Sequence, residues 1–72
     1  MKNDVIEVNP NKVSGTPVFA GTRVPIKNLF DYLEGGETLE DFLEGFPPVT
    51  RQQAIAVLEM AEKSLIKEVA AH

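Results

Sequence analysis

The sequence predicts a small, mainly α-helical domain of the α+β class, in which a short N-terminal β-hairpin precedes three helices. Its 72 residues are enough for one domain. Near Pro25 the spacing of apolar residues changes from two, which is typical of strands, to about 3.6, which is typical of helices. A glycine pair and a proline pair then divide the remainder into three segments. Residues 1–24 are therefore expected to form a strand and turn arm, and residues 25–72 a three-helix body.

The N-terminal arm contains two short segments with β character. Val5 to Val8 are mostly β-branched and are followed by Asn-Pro-Asn at 9–11, which predicts a strand and a turn. Val13 and residues 17–19 are expected to form the return strand. A hairpin of this size is rarely stable alone. We therefore expect it to pack on the helices or to pair with another chain.

The first two helices are predicted by apolar residues that recur at i, i+3, i+4 and i+7. Pro25 is expected at the first helical position, where its missing N–H would have no partner in any case. The glycine pair 35–36 ends the first helix. Thr38 is expected to cap the second helix together with Asp41, and Pro47-Pro48 ends it. The two apolar stripes are Ile26, Leu29, Phe30 and Leu33, and then Leu39, Phe42, Leu43 and Phe46.

The third helix begins with a predicted capping box, formed by Thr50 and Gln53. The residues that follow are mostly good helix formers. Ile55 and Ile66 widen its apolar face beyond what two short helices can cover. The excess is expected to meet the hairpin or a second subunit, which predicts a homodimer. The rest of this face consists of Ala54, Val57, Leu58, Ala61, Leu65 and Val69.

Composition excludes several classes of protein. The chain has no cysteine, so disulfides and thiolate metal sites are ruled out. It has no apolar run long enough to span a bilayer and no signal-peptide pattern, so we expect a cytoplasmic protein without membrane contact. The only histidine is His72, and Ser14 and Ser64 lack an evident base. The protein is therefore expected not to be an enzyme and to bind no cofactor.

The charge of the chain is distributed unevenly around a net value of −4. Residues 1–30 have a net charge of +2, residues 31–49 have −6, and residues 50–72 are balanced. The six carboxylates from position 31 to position 44 lie opposite the apolar stripes, so we expect them to form a solvated polar surface. A metal site would need their oxygens to converge on one point. An acidic chain of this kind does not hold nucleic acid by bulk electrostatics.

The stretch from Gly15 to Ile26 is too specific to follow from generic folding needs. Glycine adopts positive φ without a Cβ penalty, so two glycines beside threonines predict a turn, a strand and a second turn. One interpretation is structural: Gly21 makes the turn, Thr22 caps it, and Arg23 clamps nearby carbonyls or a carboxylate. The other makes Arg23 and the adjacent helix start a site for an anion or a partner protein. Both interpretations remain open from the sequence.

The second helix, the proline turn and the third helix have the proportions of a helix-turn-helix. In that motif the first turn of the second helix reads bases in the major groove. Arg51, Gln52 and Gln53 would be the base-reading residues, and Lys12 of the basic arm an additional DNA contact. The alternative is an ordinary αα-corner with a polar first turn. The acidic second helix counts against DNA contact because it would repel phosphates.

Several blocks of the sequence together resemble one known family. They are Ser-Gly-Thr-Pro-Val-Phe-Ala-Gly-Thr-Arg-Val-Pro-Ile at 14–26, the glycine pair 35–36, Phe-Pro at 46–47, and Val-Thr-Arg at 49–51 before an alanine-rich helix. The chain resembles the bacterial and archaeal domain-of-unknown-function family four-three-three. That resemblance implies a helix-turn-helix-like fold of the homeodomain or winged-helix kind. It also implies an antitoxin of the VapB type, since members of the family are often encoded beside PIN-like toxins. The family positions fall here on Gly15, Pro17, Gly21, Thr22, Arg23, Pro25 and Pro47.

From these observations and this resemblance, the predicted function is that of an antitoxin-like protein. It would bind a PIN-like toxin and, in addition, its own operator DNA. The alternative is a stand-alone helix-turn-helix transcriptional regulator that needs no toxin. A neighbouring gene that encodes a small nuclease would favour the first.

Overall fold

The computed structural model describes residues 5–11 and 15–70. It contains two strands and three helices in the predicted order. None of the helices within this part of the chain has the length and apolar character needed to cross a membrane. The elements are β1 (Ile6–Glu7), β2 (Val18–Phe19), α1 (Ile26–Glu34), α2 (Leu39–Gly45) and α3 (Arg51–Ala70).

The two strands form the predicted antiparallel pair, with Ile6 opposite Phe19 and Glu7 opposite Val18. Each strand has only two residues, fewer than the run of β-branched residues suggests. On its other side β2 forms a bridge from Val18 to Pro25. β2 therefore lies between β1 and the segment that leads into α1, and both of its side chains are fully buried.

Helix α1 begins one residue later than predicted. Pro25 is the N-cap and not the first helical residue, and its φ of −62° and ψ of 139° are extended. The bridge to Val18 accounts for this, because a residue paired with a strand cannot also be helical. The end of α1 is as predicted. Gly36 has a φ of +90°, and the N–H of Glu37 donates to the carbonyl of Tyr32 at 2.9 Å, as in a Schellman motif.

Capping boxes start both of the other helices, as predicted. At α2 the N–H of Asp41 donates to Thr38 Oγ1 at 3.1 Å, and the N–H of Thr38 donates to Asp41 Oδ2 at 3.0 Å. Hydrogen bonds from the backbone N–H of Thr38 and then from its side chain lower the pKa of the Asp41 carboxyl. At α3 the N–H of Gln53 donates to Thr50 Oγ1 at 3.1 Å, and the N–H of Thr50 donates to Gln53 Oε1 at 3.0 Å. Each box satisfies helix N–H groups that would otherwise lack partners.

Replacement of Thr50 by alanine is expected to lower the free energy of unfolding by about 1 kcal/mol, because the N–H of Gln53 loses its acceptor. Urea denaturation followed by circular dichroism measures this change. Thr50→Ser keeps the hydroxyl and serves as the control. A midpoint that does not move in Thr50→Ala would show that the cap does not stabilise α3.

The hydrophobic core lies where β2 and the three helices meet. Phe42 is its centre, with ring centroids 5.8 Å from Phe19, 5.7 Å from Tyr32 and 4.9 Å from Phe46. Because each helix and β2 contributes at least one buried side chain, the core joins the hairpin to the body. The buried cluster consists of Phe19, Leu29, Phe42, Val49, Ala54 and Val57.

Helix α3 is longer than the body that it packs against. Its 20 residues span about 30 Å, whereas the seven residues of α2 span about 10 Å. Core contacts on α3 include the buried Ala54 and Val57 and the partly buried Leu58. About two turns after Leu58, Leu65 and Ile66 are 65% and 61% exposed. The second half of α3 therefore extends beyond the core.

Candidate functional site

The loop that contains Gly21 and Thr22 is a tight turn held by four hydrogen bonds. The N–H of Thr22 donates to the carbonyl of Phe19 at 3.0 Å, and Gly21 has a φ of +77°, which a type II turn requires at its third residue. Thr22 Oγ1 also donates to the carbonyl of Phe19 at 2.8 Å and accepts from the N–H of Val24 at 3.0 Å. The N–H of Phe19 donates to the carbonyl of Val24 at 3.0 Å. The expected roles of Gly21 as turn and Thr22 as cap are thus present in the structure.

Other family positions support the same loop. The carbonyl of Pro17 accepts from the N–H of Ile26 at 3.0 Å, and Pro25 forms the bridge to Val18. Gly15 has a φ of +81°, a conformation that glycine adopts readily because it has no Cβ. Pro47 lies elsewhere, in the exposed turn between α2 and α3.

Arg23 differs from the rest of this motif because its side chain points into solvent. It is exposed, and it makes no hydrogen bond or ion pair with any residue in the described ranges 5–11 and 15–70. Within those ranges the structure shows no clamp by Arg23. Its guanidinium is available at the surface, held on a loop whose backbone is fixed by its neighbours.

Replacement of Arg23 by alanine is expected to leave the free energy of unfolding within about 0.5 kcal/mol of the parent, as for other surface changes without contacts. Thermal denaturation tests this. Gly21→Ala is the comparison in the same loop. An added Cβ would meet no atom within 4 Å, but the positive φ should cost about 1–2 kcal/mol. A large loss in Arg23→Ala would indicate that the guanidinium is a structural clamp after all.

Gln53 joins this loop to the first turn of α3. Its Nε2 donates to the carbonyl of Ala20 at 3.0 Å, while its Oε1 accepts from the N–H of Thr50. On the other side of the loop, the N–H of Gly21 donates to Glu7 Oε1 at 3.2 Å. The two stretches that the sequence singles out, the Gly-Thr-Arg loop and the start of α3, are therefore neighbours in the structure.

Arg51 forms an ion pair across the turn between α2 and α3. Its guanidinium donates to both carboxylate oxygens of Glu40, and both side chains are about half exposed. The hydrogen bonds and charge of Arg51 lower the pKa of the Glu40 carboxyl, and Glu40 in turn raises the pKa of the Arg51 guanidinium. Arg51, the main candidate for reading a DNA base, is therefore paired with an acidic residue of α2.

The four residues predicted to contact DNA have different environments. Arg51 is paired with Glu40, and both ends of the Gln53 amide are hydrogen-bonded within the domain. Gln52 is exposed. Lys12 lies outside the described residues. The sequence did not indicate the Glu40 and Ala20 contacts, because each joins residues far apart in the chain.

The described residues contain no group of three or more histidine or acidic side chains arranged to hold a metal ion. Their most distinctive surface is instead apolar and lies on α3. We call it the outer face of α3 and define it by Ile55, Leu65 and Ile66, which are 40%, 65% and 61% exposed. The sequence predicts an excess apolar face on this helix, and the structure locates the excess mainly at its C-terminal half.

Comparisons with known proteins agree with this fold. The family described as "Protein of unknown function (DUF433)" matches residues 6–61. A comparison with curated proteins gives no match. The crystal structure of a DUF433 member protein from Anabaena variabilis superposes with a TM-score of 0.72 at 22% identity, over 97% of this chain and 71% of that one. An identity this low establishes a shared fold only. The family match spans the hairpin, the Gly-Thr-Arg loop and the first half of α3, so the chain belongs to the DUF433 family of proteins of unknown function.

Proposed function

We propose that the protein is the antitoxin-like member of a toxin–antitoxin pair, acts in the cytoplasm, and binds a PIN-like toxin through the outer face of α3. The observation behind this proposal is the exposure of Leu65 and Ile66 at 65% and 61% on a regular helix. Burial of such a side chain contributes about 1.5–3 kcal/mol. A partner that covers both would therefore gain substantial binding energy.

The geometry of α3 suits this use. Ala54, Leu58 and Ala61 follow one side of the helix at spacings of four and three, and Leu65 is the next residue in that row. Ala54 is buried and Leu58 and Ala61 are partly buried, whereas Leu65 is exposed to solvent. An amphipathic helix presented in this way matches a common mode of recognition, in which the apolar side enters a groove of the partner.

DNA binding without a toxin is the second candidate function. It is favoured by the hydrogen bond from Gln53 to Ala20, which brings the loop of Arg23 next to the first turn of α3. It is opposed by the net charge of −4 and by the ion pair of Arg51 with Glu40. Repulsion of phosphates by α2 would weaken any operator contact. We therefore rank operator binding below toxin binding.

The test measures binding of a PIN-like toxin, encoded by a neighbouring gene, to the protein and its variants by calorimetry. Leu65→Asp and Ile66→Asp should each weaken binding by about 100-fold or more, since a charge would enter an apolar contact. Met60→Asp is the matched control, because Met60 is 40% exposed on another side of the same helix. Equal affinity for all variants would refute the proposal, and duplex binding without toxin binding would favour the second candidate.

The homodimer predicted from the sequence remains a prediction. Sedimentation velocity at micromolar concentration tests it directly. The result also matters for the outer face of α3, which a second copy of the chain would compete to cover.

A further inference from the structure

Building on the proposed function, we propose that the outer face of α3 binds a partner that presents a lysine or arginine side chain within an apolar groove, and that Glu62 recognises this base. Glu62 lies within this face, and its carboxylate is not paired with any base in the part of the chain that the structure describes.

Glu62 lies in the middle of the apolar surface. Successive residues of an α-helix are rotated by about 100°, so Ile55, Leu65 and Ile66 all fall within about 60° of Glu62 around the helix axis. Residues three and four positions apart on a helix are neighbours, and Leu65 and Ile66 stand in that relation to Glu62. A partner that covers these two side chains must therefore also cover the carboxylate between them.

Glu62 has no partner of its own within the described part of the chain. It is exposed and makes no hydrogen bond or ion pair with any side chain described between residues 15 and 67. The nearest bases in the sequence, Lys63 and Lys67, are rotated by about 100° and about 140° from it. Lys63 borders the face beside Ile66, and Lys67 lies further round the helix, so neither stands next to Glu62 at the centre of the face.

Burial of this carboxylate requires a cation from the partner. A buried charge is costly unless it is paired and hydrogen-bonded, and removal of one member of such a pair strongly destabilises a contact. Arginine suits this role because its guanidinium can donate two parallel hydrogen bonds to a carboxylate. The surface around Glu62 therefore selects a partner with a basic side chain in its groove.

A second copy of this chain does not meet the requirement. Two outer faces brought together would each contribute Glu62, and Glu59 stands only about 60° from it, whereas the nearest base, Lys63, lies about 100° from Glu62 at the edge of the face. Like charges at a contact oppose association. Charge complementarity thus favours a different protein as the occupant.

The test uses the same PIN-like toxin with two substitutions at Glu62. Glu62→Lys should weaken toxin binding by about 100-fold, and Glu62→Gln, which keeps the shape, by about 10-fold. Glu44→Lys is the control, since Glu44 is an exposed acid on α2 and the substitution changes the net charge equally. It should leave the affinity within about twofold. Circular dichroism confirms that each variant is folded.

The outcomes separate this inference from the proposed function. If Leu65→Asp abolishes toxin binding but Glu62→Lys does not weaken it beyond Glu44→Lys, the proposed function stands and the recognition of a base by Glu62 is wrong. If the parent protein does not bind the toxin, both are wrong. If the free protein is a dimer that Leu65→Asp dissociates, a second copy covers the face and the inference is overturned.

Discussion

Replacement of Phe42 by alanine is expected to remove most or all of the stability of the domain. Phe42 is fully buried, and its ring meets those of Phe19, Tyr32 and Phe46. Truncation of a buried phenylalanine typically costs about 3–5 kcal/mol. Small domains have total stabilities near the lower end of about 5–15 kcal/mol. The loss is therefore comparable to the whole free energy of unfolding.

Circular dichroism during urea denaturation measures this loss. The variant should show either no cooperative transition or a midpoint close to zero denaturant. Phe30→Ala is the matched control, because Phe30 packs against the core from a partly exposed position and contributes no ring pair to the aromatic cluster. Its midpoint should fall much less. Equal losses at the two positions would show that Phe42 is not the centre of the core.

Replacement of Thr22 by valine is expected to cost about 1–3 kcal/mol, although the two side chains have nearly the same shape. Thr22 is 8% exposed, and its hydroxyl accepts the N–H of Val24 while donating to the carbonyl of Phe19. Valine would leave that N–H without an acceptor in a partly buried place. An unsatisfied donor loses its hydration without compensation, and this is the source of the cost.

Thermal denaturation of Thr22→Val beside Thr22→Ser isolates the hydroxyl, since serine keeps the oxygen and loses only a methyl group. We expect Thr22→Ser to retain most of the stability. If valine were tolerated as well as serine, the methyl and not the hydrogen bonds would explain the residue. The turn would then be held by its backbone alone.

Local rules predicted most of the fold. The capping boxes at Thr38 and Thr50 and the left-handed glycine after α1 depend on residues within four positions of one another, so spacing alone identifies them. Pro25 is the exception. Proline favours the first helical position, but here Pro25 forms a bridge to Val18 and stays extended. The residues around Pro25 give no sign of that pairing. β1, at two residues, is also shorter than its run of β-branched residues predicts.

The candidate site was predicted less completely, because its contacts join distant parts of the chain. The sequence singled out the Gly-Thr-Arg loop and the start of α3 separately. Only the structure shows that Gln53 bonds to Ala20, 33 positions away, and that Arg51 pairs with Glu40. Helical periodicity predicted the wide apolar face of α3. It could not predict where the core ends along that helix, which decides which apolar residues are exposed.

The hydrogen bond between Gln53 and Ala20 has a consequence for the order of folding. The same amide accepts a hydrogen bond in the cap of α3 and donates one to the hairpin loop, so it makes both contacts only when two segments 33 positions apart have met. Contacts of such long range slow folding, because the chain loses entropy before it gains the contact. We expect the first turn of α3 and the hairpin loop to become protected from hydrogen exchange in the same kinetic phase, later than the middle of the helix.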